Sequence, residues 1–396
     1  MNFEVIKRSH VKRNILIGVL VVLILTAIIL TFTKAKYKIT ESMPLVNGTI
    51  NYELSDLNLI GAYIQEGEEY KQVNEIPTSG YKFNSEKSYC TVNGENINAT
   101  INFDIETQTL SVVPLTKKGT KCYLYFDEKA SGSEYILASP NAPTSHTTDW
   151  TGEESYYYTG TNPDNWVSFA GFYWRIIRIN GNGSIRMIYS GTDYNLTDDD
   201  TIGTSTFNSS NKNKTYVGLV YDGSTQHGYG TNSTIMNTLN NWYNNNIVNY
   251  EANYIDMGIG YCSDREMASG YNWDNNILYY APYDRQNNGS LQCQDDDILS
   301  KDNGKLQNPI GLLTSDEYVL AEKASSYLHI QKYYWMMSPY QSDNNGAFVF
   351  LVWGDGNLEA RIVTFSYDVR PVINLRSDVQ LIGSGSSSDP YVVVTS

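Results

Sequence analysis

The sequence predicts an α+β protein made of an N-terminal transmembrane helix, a small β-sandwich and a larger mixed domain. Residues 14–33 form one uninterrupted apolar run without a charge. Residues 37–129 show short alternating runs separated by turn residues, and residues 155–396 combine long aromatic strands with two amphipathic helical patterns. Strands followed by a segment that mixes strands and helices are typical of α+β proteins.

Residues 14–33 are predicted to span a membrane as an uncleaved signal anchor. A helix of this length covers roughly 30 Å at ~1.5 Å per residue, which matches the hydrocarbon core of a bilayer. The run exceeds the ~7–15 apolar residues of a signal peptide and lacks a small-residue cleavage motif, and cleavage is the alternative. Residues 1–13 are then a cytoplasmic tail of a single-pass cell-membrane protein, whose C-terminal domains are extracellular.

Residues 37–129 are predicted to form an immunoglobulin-like β-sandwich that serves as a spacer. Its candidate strands include GAYIQ, ATINFDI and KCYLYFD, and Asn47-Gly48 and Asn93-Gly94 are tight-turn signals. Residues 130–154 are rich in Ser, Thr, Pro and Gly and lack a sustained apolar period, which predicts a linker. A loop folded onto the following domain is the alternative for this segment.

Residues 155–396 are predicted to contain two β-hairpins and two helices. The segment Asn180-Gly181-Asn182-Gly183 separates two apolar strands, as in a tight hairpin turn. A G-D-G-N segment follows the strand AFVFLVW, whose two apolar faces indicate a central position in a sheet. One helical stripe begins after Ser233, and a second helix is predicted from Asp316, or the serine before it, towards Leu328.

Composition and charge favour recognition at a cell surface. The formal net charge is −15, and a field of this sign repels phosphate backbones, so nucleic acid is excluded as a partner. The 33 tyrosines suit a binding surface, because tyrosine offers a large contact area at a low entropic cost. An AT-rich genome, whose codons enrich Asn and Tyr, is the alternative explanation for this composition.

The four cysteines predict two disulfides outside the cytoplasm. Three pairings exist for four cysteines. Cys90–Cys122 with Cys262–Cys293 is the simplest, because each pair then lies within one predicted domain. Each bond closes a loop of about thirty residues, which corresponds to roughly 3.5–4 kcal/mol of chain entropy. A metal site is disfavoured because no C-x-x-C motif is present, and reduced buried thiols are the remaining alternative.

The C-terminal part of the chain resembles a group of surface-protein domains from low-GC anaerobic bacteria. The resemblance rests on GFYWRIIRINGNGSIRMIY, YCSDRE, PIGLLTSDEYVLAE, WMMSPY, the G-x-G-N hairpin and YDVRPVINL. The ending VRPVINL is also similar to the final strand of C-type-lectin-like and sulfatase-modifying-factor folds. The resemblance implies a C-type-lectin-like mixed α+β domain over residues 155–396, in which Arg370 and Pro371 have structural roles. The calcium-binding triplet of C-type lectins and the cysteine pair of formylglycine-generating enzymes are absent.

No catalytic residue is predicted. The chain has four histidines and contains no nucleophile-elbow, zinc-protease, P-loop or dinucleotide motif. Glycoside hydrolysis needs only two carboxylates, and Asp264 with Glu266 or Asp316 with Glu317 are the best candidate pairs. A structural role is favoured for both pairs, because Arg265 offers a salt-bridge partner and Asp316 lies in the first turn of a predicted helix.

The segment between Cys262 and Cys293 is the predicted ligand-binding site. Aromatic rings beside Asp and Asn suit a sugar, whose C–H faces stack on rings while its hydroxyls form hydrogen bonds. A small core formed by the same rings beneath the loop is the alternative. The predicted ligand-binding residues are Tyr271, Trp273, Asp274, Tyr280 and Tyr283.

No metal ligand and no cofactor are predicted, although the aspartate runs at 198–200 and 295–297 leave calcium as an alternative. The leading hypothesis is a membrane-anchored recognition or adhesion protein, which binds a glycan or a surface-protein ligand without catalysis. An envelope-associated carbohydrate-active hydrolase and a purely structural surface component are the alternatives.

Overall fold

The structure is a computed structural model that describes most of the chain after residue 56. The described residues are 57–67, 69–77, 80–104, 107–113, 119–194 and 199–394. The chain divides into two compact units, Met1–Lys129 and Ala130–Ser396. The predicted cytoplasmic tail at 1–13 and the predicted anchor at 14–33 lie outside the described residues. Within the described ranges, no helix is long and apolar enough to cross a membrane.

The predicted α+β class, with its C-type-lectin-like mixed domain, is wrong. The described residues form mostly β structure, arranged in several sheets. The helix predicted to run towards Leu328 ends at Leu320. The residues that follow include Glu322 and Lys323, with φ angles of 77° and 53°. Such angles are incompatible with a right-handed helix, so the chain turns away instead of continuing it.

The described residues of unit 1 form a five-stranded sheet and a two-stranded hairpin. Its strands are β1 (Leu57–Glu66), β2 (Glu69–Val73), β3 (Tyr81–Val92), β4 (Glu95–Asn96), β5 (Thr100–Asp104), β6 (Thr109–Val113) and β7 (Thr120–Glu128). The sheet has the order β2-β1-β7-β3-β4, and β5 pairs with β6. Phe83, Phe103 and Phe126 pack together with ring centroids 5.5–6.2 Å apart, which joins the hairpin to one face of the sheet.

The part of unit 2 that the structure describes contains two larger sheets and two short strand pairs. Its strands are β8 (Ser145–Thr148), β9 (Glu154–Tyr157), β10 (Trp166–Phe169), β11 (Phe172–Ile179), β12 (Ile185–Tyr189), β13 (Thr204–Thr206), β14 (Val220–Tyr221), β15 (Thr231–Asn232), β16 (Tyr261–Cys262), β17 (Leu278–Tyr279), β18 (Ile298–Leu299), β19 (Tyr334–Asp343), β20 (Gly346–Val352), β21 (Leu358–Ile362), β22 (Ser366–Asp368), β23 (Val372–Leu375), β24 (Leu381–Ile382) and β25 (Tyr391–Val393).

The eight-stranded sheet of unit 2 has the order β23-β12-β11-β10-β25-β24, with β9 paired to β11 and β8 paired to β9. The six-stranded sheet has the order β13-β22-β19-β20-β21, with β17 paired to β19. The predicted hairpin at Asn180-Gly181-Asn182-Gly183 is confirmed, because β11 and β12 pair across it. The predicted central position of β20 is also confirmed, since it lies between β19 and β21.

The helices of the described part of unit 2 are short, and each longer one has a side-chain cap. They are α1 (Gly132–Leu137), α2 (Thr234–Asn246), α3 (Glu251–Tyr254) and α4 (Ser315–Leu320). Ser131, Ser233 and Thr314 each accept a hydrogen bond from a backbone N–H three residues later, which satisfies a free donor of the first helical turn. The predicted start of α2 after Ser233 is confirmed.

Residues 130–154, predicted as a linker, belong instead to the folded body of unit 2. They contain α1 and β8, and β8 pairs with β9. The backbone N–H of Gly132 donates to the carbonyl of Ser377 at 3.1 Å. A Cβ on Gly132 would lie 2.8 Å from the Val379 carbonyl oxygen, so glycine permits this close approach. The Ser- and Pro-rich composition therefore reflects turns that pack against the sheet.

Two arginines on neighbouring strands lie in the interior of unit 2 and are neutralised there by two carboxylates. Arg178 on β11 donates to Asp149 Oδ2 at 3.2 Å and to Glu317 Oε1 at 3.1 Å. Arg186 on β12 pairs with Glu317 through Nε and Nη2. Burial alone would raise the pKa of Glu317, but Arg186 and Arg178 hold this pKa below its ordinary value. The network ties α4 to the eight-stranded sheet.

Candidate functional site

Both predicted disulfides are confirmed, and one of them closes the loop that carries the candidate site. Cys90 bonds to Cys122 in unit 1, and Cys262 bonds to Cys293 in unit 2. We call residues 262–293 the tyrosine loop. The loop begins on β16, which pairs with β18, and it contains β17, which pairs with β19. The loop is therefore fixed to neighbouring strands at its start and in its middle.

Arg285 fixes the second half of the tyrosine loop. Its guanidinium pairs with Asp264, and its Nε donates to Asp316 Oδ1 at 2.7 Å. Burial raises the pKa of Asp264 to about 7, against the opposing charge of Arg285. Asp264 and Asp316 are only 8% and 4% exposed. The cavity beside them has a volume of about 10 Å³, which is room for one water molecule and not for a sugar.

Four partly exposed tyrosines form a continuous surface, which we call the tyrosine patch. Tyr271, Tyr279 and Tyr283 come from the tyrosine loop, and Tyr340 comes from β19. The Tyr279 ring centroid lies 4.3 Å from that of Tyr283, 5.1 Å from that of Tyr271 and 5.4 Å from that of Tyr340. Tyr340 packs edge-on against buried Phe350 at 4.9 Å, which holds the patch on the six-stranded sheet.

The structure brings two of the predicted ligand-binding residues together and separates the other three. Tyr271 and Tyr283 both belong to the tyrosine patch, through Tyr279. Tyr280 is buried, and its hydroxyl donates to the Lys214 carbonyl at 2.7 Å. Tyr280 is therefore part of the core that supports the loop. This position agrees with the alternative of a small core beneath the loop.

Trp273 and Asp274 lie at the turn of the tyrosine loop. The Lys214 ammonium lies 4.2 Å from the centroid of the Trp273 ring and bonds to the Trp273 carbonyl. This cation–π contact occupies a ring face that a sugar would need. Asp274 is exposed, and its backbone N–H donates to Asn272 Oδ1 at 3.0 Å. Neither residue has a ring or ion-pair contact with the tyrosine patch among the described residues.

The predicted ligand-binding residues did not include Tyr279 or Tyr340, although Tyr279 lies within the predicted segment. Side chains alternate between the faces of a strand, so two consecutive tyrosines cannot share one face. Leu278 is buried, Tyr279 is partly exposed and Tyr280 is buried, which follows this alternation. The alternation pattern therefore contained the signal for Tyr279. Tyr340 had no local signal, because only the pairing of β17 with β19 brings its strand to the loop.

An open polar groove adjoins the tyrosine patch at Tyr283. Its volume is about 450 Å³, and it is lined by Tyr283, Asp284, Gln286, Asn287, Lys323, Asn357 and Leu358. Lys323 Nζ donates to Asn287 Oδ1 at 3.0 Å, which joins the segment after α4 to the tyrosine loop. Three segments that are distant in sequence thus form one groove with aromatic, amide and charged walls.

Gly356 allows the turn between β20 and β21 to approach the segment that carries Lys323. Its φ angle is +85°, and a Cβ at this position would lie 2.5 Å from the Cβ of Ala324. The Gly356 carbonyl accepts a hydrogen bond from the buried Tyr318 hydroxyl at 2.8 Å. The turn and the Lys323 segment are thereby held together as one wall of the groove.

Substitution of Gly356 by alanine is expected to lower the free energy of unfolding by about 2–4 kcal/mol, because a positive φ and a steric overlap add. Gly304→Ala is a matched control, since Gly304 also has a positive φ, +75°, but open space around it. The control is expected to lose about 1–2 kcal/mol from the φ angle alone. Denaturant unfolding of both variants measures the difference, and equal losses would contradict the close packing.

His227, Glu266 and Asp297 are the one His and carboxylate group among the described residues that is close enough to hold a metal ion. His227 Nδ1 lies 3.0 Å from Asp297 Oδ1, and Nε2 lies 3.5 Å from Glu266 Oε1. The hydrogen bond to Asp297 raises the pKa of His227 despite its partial burial. Asp297 also accepts hydrogen bonds from Ser263 and from the backbone of Arg265. The group therefore forms an ion-pair network, and a metal ion would have to replace these contacts.

The aspartates of the runs at 198–200 and 295–297 make different contacts. Asp198 lies outside the described residues, and Asp200 pairs with Lys332 at 2.6 Å. Asp297 belongs to the His227 network, while the two aspartates before it are exposed. Calcium binding stays an alternative from the sequence.

Comparisons of the chain with protein-family models, with curated proteins and with solved structures give no match. The resemblance inferred from the sequence motifs stays a prediction.

Proposed function

We propose that this protein is a cell-surface recognition protein that binds a glycan, without catalysis, through the tyrosine patch and the adjoining groove. The observation that carries the proposal is the position of Tyr283, which belongs to both surfaces. Tyr283 is 36% exposed, although the ring centroids of Tyr279 and Tyr340 lie 4.3 Å and 5.6 Å from its own. An exposed aromatic cluster beside a concave polar surface is typical of a ligand-binding site.

A sugar suits this arrangement better than an apolar ligand does. The groove walls carry three side-chain amides, a lysine and a carboxylate beside one leucine. A sugar presents C–H groups to an aromatic ring and hydroxyls to amide and carboxylate groups, so it satisfies both parts of the site. An apolar ligand would leave the amide and charged groups without partners, which costs free energy.

The proposed location is the outer surface of a cell membrane, with attachment through the apolar run at 14–33. Two disulfides support an oxidising compartment, because such bonds are rare in the cytosol. The formal net charge of −15 supports a partner other than nucleic acid.

A carbohydrate-active hydrolase is the second candidate function, and the raised pKa of Asp264 is the observation that favours it. A carboxyl group with a pKa of about 7 is suited to donate a proton at neutral pH. Asp264 and Asp316 are nevertheless buried against Arg285, beside a cavity too small for a sugar. Turnover of a glycan that is lost in Asp264→Asn would favour the hydrolase over the recognition protein.

Tyr283→Ala is expected to weaken glycan binding about tenfold, which corresponds to ~1.4 kcal/mol, because it removes the ring shared by the patch and the groove. A glycan array probed with the full chain identifies the ligand, and titration calorimetry with that glycan measures the affinity. Tyr229→Ala is the matched control, since Tyr229 is 54% exposed and has no ring contact with the patch among the described residues. Unchanged binding in folded Tyr283→Ala protein would contradict the proposed site.

A further inference from the structure

The groove is lined by one ammonium group, that of Lys323, and by one carboxylate, that of Asp284. Among the described residues, Lys323 forms no ion pair, whereas Lys301 pairs with Glu251 and Lys332 pairs with Asp200. The chain carries 43 acidic and 28 basic residues, so partners for a lysine are abundant. An ammonium group without an ion pair at the wall of a concave surface attracts a negatively charged ligand.

Lys323 is held in place by the backbone. Glu322 and Lys323 both have positive φ angles, which are strained for residues with side chains. The next residue, Ala324, packs against Gly356, and any larger residue at 356 would overlap with it. The side chain of Lys323 is partly buried and bonds to Asn287. The ammonium is therefore positioned before a ligand arrives, which reduces the entropy lost on binding.

Lys323 and Asn287 present hydrogen-bond donors in the groove, whereas Gln286 and Asn357 donate their amide N–H groups elsewhere and present their amide oxygens. A lysine ammonium has three N–H groups, and Lys323 gives one of them to Asn287 Oδ1. This bond occupies the amide oxygen of Asn287, and its two amide N–H groups have no partner among the described residues. The acid of the groove, Asp284, already accepts a hydrogen bond from the Ser269 backbone at 2.7 Å.

We infer that the groove binds the carboxylate of an acidic sugar, with Lys323 and Asn287 donating to its oxygens while the tyrosine patch contacts the sugar ring. The inference rests on the proposed function and names its class of ligand. A carboxylate has two acceptor oxygens and one negative charge, which match one ammonium beside one amide. A polyol phosphate would offer an anion but no ring for the tyrosines.

The test compares acidic sugars with their neutral methyl esters. The probes are oligogalacturonate, oligomannuronate and hyaluronan oligosaccharides, each with its methyl ester, titrated against the full chain. At least one acid is expected to bind about tenfold more tightly than its ester, since a hydrogen bond to a charged group is lost in the ester. This preference is expected to shrink in 0.5 M salt, because salt screens exposed charges.

Lys323→Met is expected to reduce the affinity for the acid to that for its ester, while Lys323→Arg retains the preference. Lys212→Met is the control, since Lys212 is an exposed lysine that does not line the groove. Equal binding of acids and esters, or an acid preference that survives Lys323→Met, would overturn the inference. Preferential binding of poly(glycerol phosphate) would overturn it too.

The two proposals fail in distinguishable ways. If neutral glycans bind in a Tyr283-dependent manner and none of the acids binds, the acidic-sugar inference is contradicted and the recognition function is supported. If no glycan on the array binds to the full chain, the recognition function itself falls.

Discussion

Glu317→Gln is expected to lower the free energy of unfolding by about 3–5 kcal/mol, because it leaves a net positive charge buried in unit 2. Glu317 is 3% exposed and pairs with both Arg178 and Arg186. Asp149 pairs with Arg178 and can neutralise only one of the two arginines. Glutamine preserves the shape of the side chain, so the loss in the free energy of unfolding measures the effect of the missing charge. Replacement also removes the charged acceptor for the Thr314 backbone N–H at the start of α4.

Denaturant unfolding of wild type and Glu317→Gln between pH 4 and pH 8 measures this effect. The pKa of Glu317 is lowered in the folded state, so its contribution is present above its ordinary value of 4.5 and is lost as the pH falls through the folded-state pKa. The difference between the two proteins should therefore be full at neutral pH and shrink in acid. Glu153→Gln is the control, because Glu153 is exposed. A loss below ~1 kcal/mol, as is typical of exposed ion pairs, would contradict the buried position of this network.

Removal of the Cys262–Cys293 disulfide is expected to destabilise unit 2 by roughly 3.5–4 kcal/mol. The two cysteines are separated by 31 residues, so the reduced and unfolded chain gains the freedom of a loop of this length. The double variant Cys262→Ala/Cys293→Ala removes both cysteines, so the measured loss comes from the missing disulfide and not from a free thiol. The corresponding variant at Cys90 and Cys122 is the control for unit 1.

In the Cys262→Ala/Cys293→Ala variant, the glycan affinity should change less than the free energy of unfolding. The tyrosine loop is also held by Arg285, through Asp264 and Asp316, and by the pairing of β17 with β19. These contacts keep Tyr279 and Tyr283 beside Tyr340 while the protein is folded. A glycan affinity reduced by more than tenfold in folded variant protein would show that the disulfide itself shapes the patch. Hydrogen exchange across residues 262–293 distinguishes local loosening from global unfolding.

Local signals in the sequence were sufficient for features that depend on neighbouring residues. The hairpin at residues 180–183, the cap at Ser233 and the two disulfides followed from turn chemistry, capping chemistry and cysteine spacing. The helix predicted towards Leu328 failed because periodicity does not reveal that Glu322 and Lys323 adopt positive φ angles. The same failure shortened one of the two helical elements on which the α+β class depended.

The candidate site could be predicted only in part, because most of it depends on contacts between distant segments. The tyrosine loop was recognisable from its cysteines and rings. Tyr340, Lys323 and Asn357 reach the site through strand pairing and through the close approach at Gly356. Neither the strand pairing nor the close approach can be recognised from a short stretch of sequence. Trp273 looked like a ligand-binding residue because its partner, Lys214, is far away in the chain.

The position of β25 has a consequence for the order in which unit 2 is assembled during synthesis. Residues 391–393 form a strand between β10 and β24, and Tyr391 is fully buried there. A chain that is synthesised from its N-terminal end contains β10 long before β25 is made. The eight-stranded sheet therefore remains incomplete until nearly the whole of unit 2 has been synthesised, and contacts of such long range form slowly.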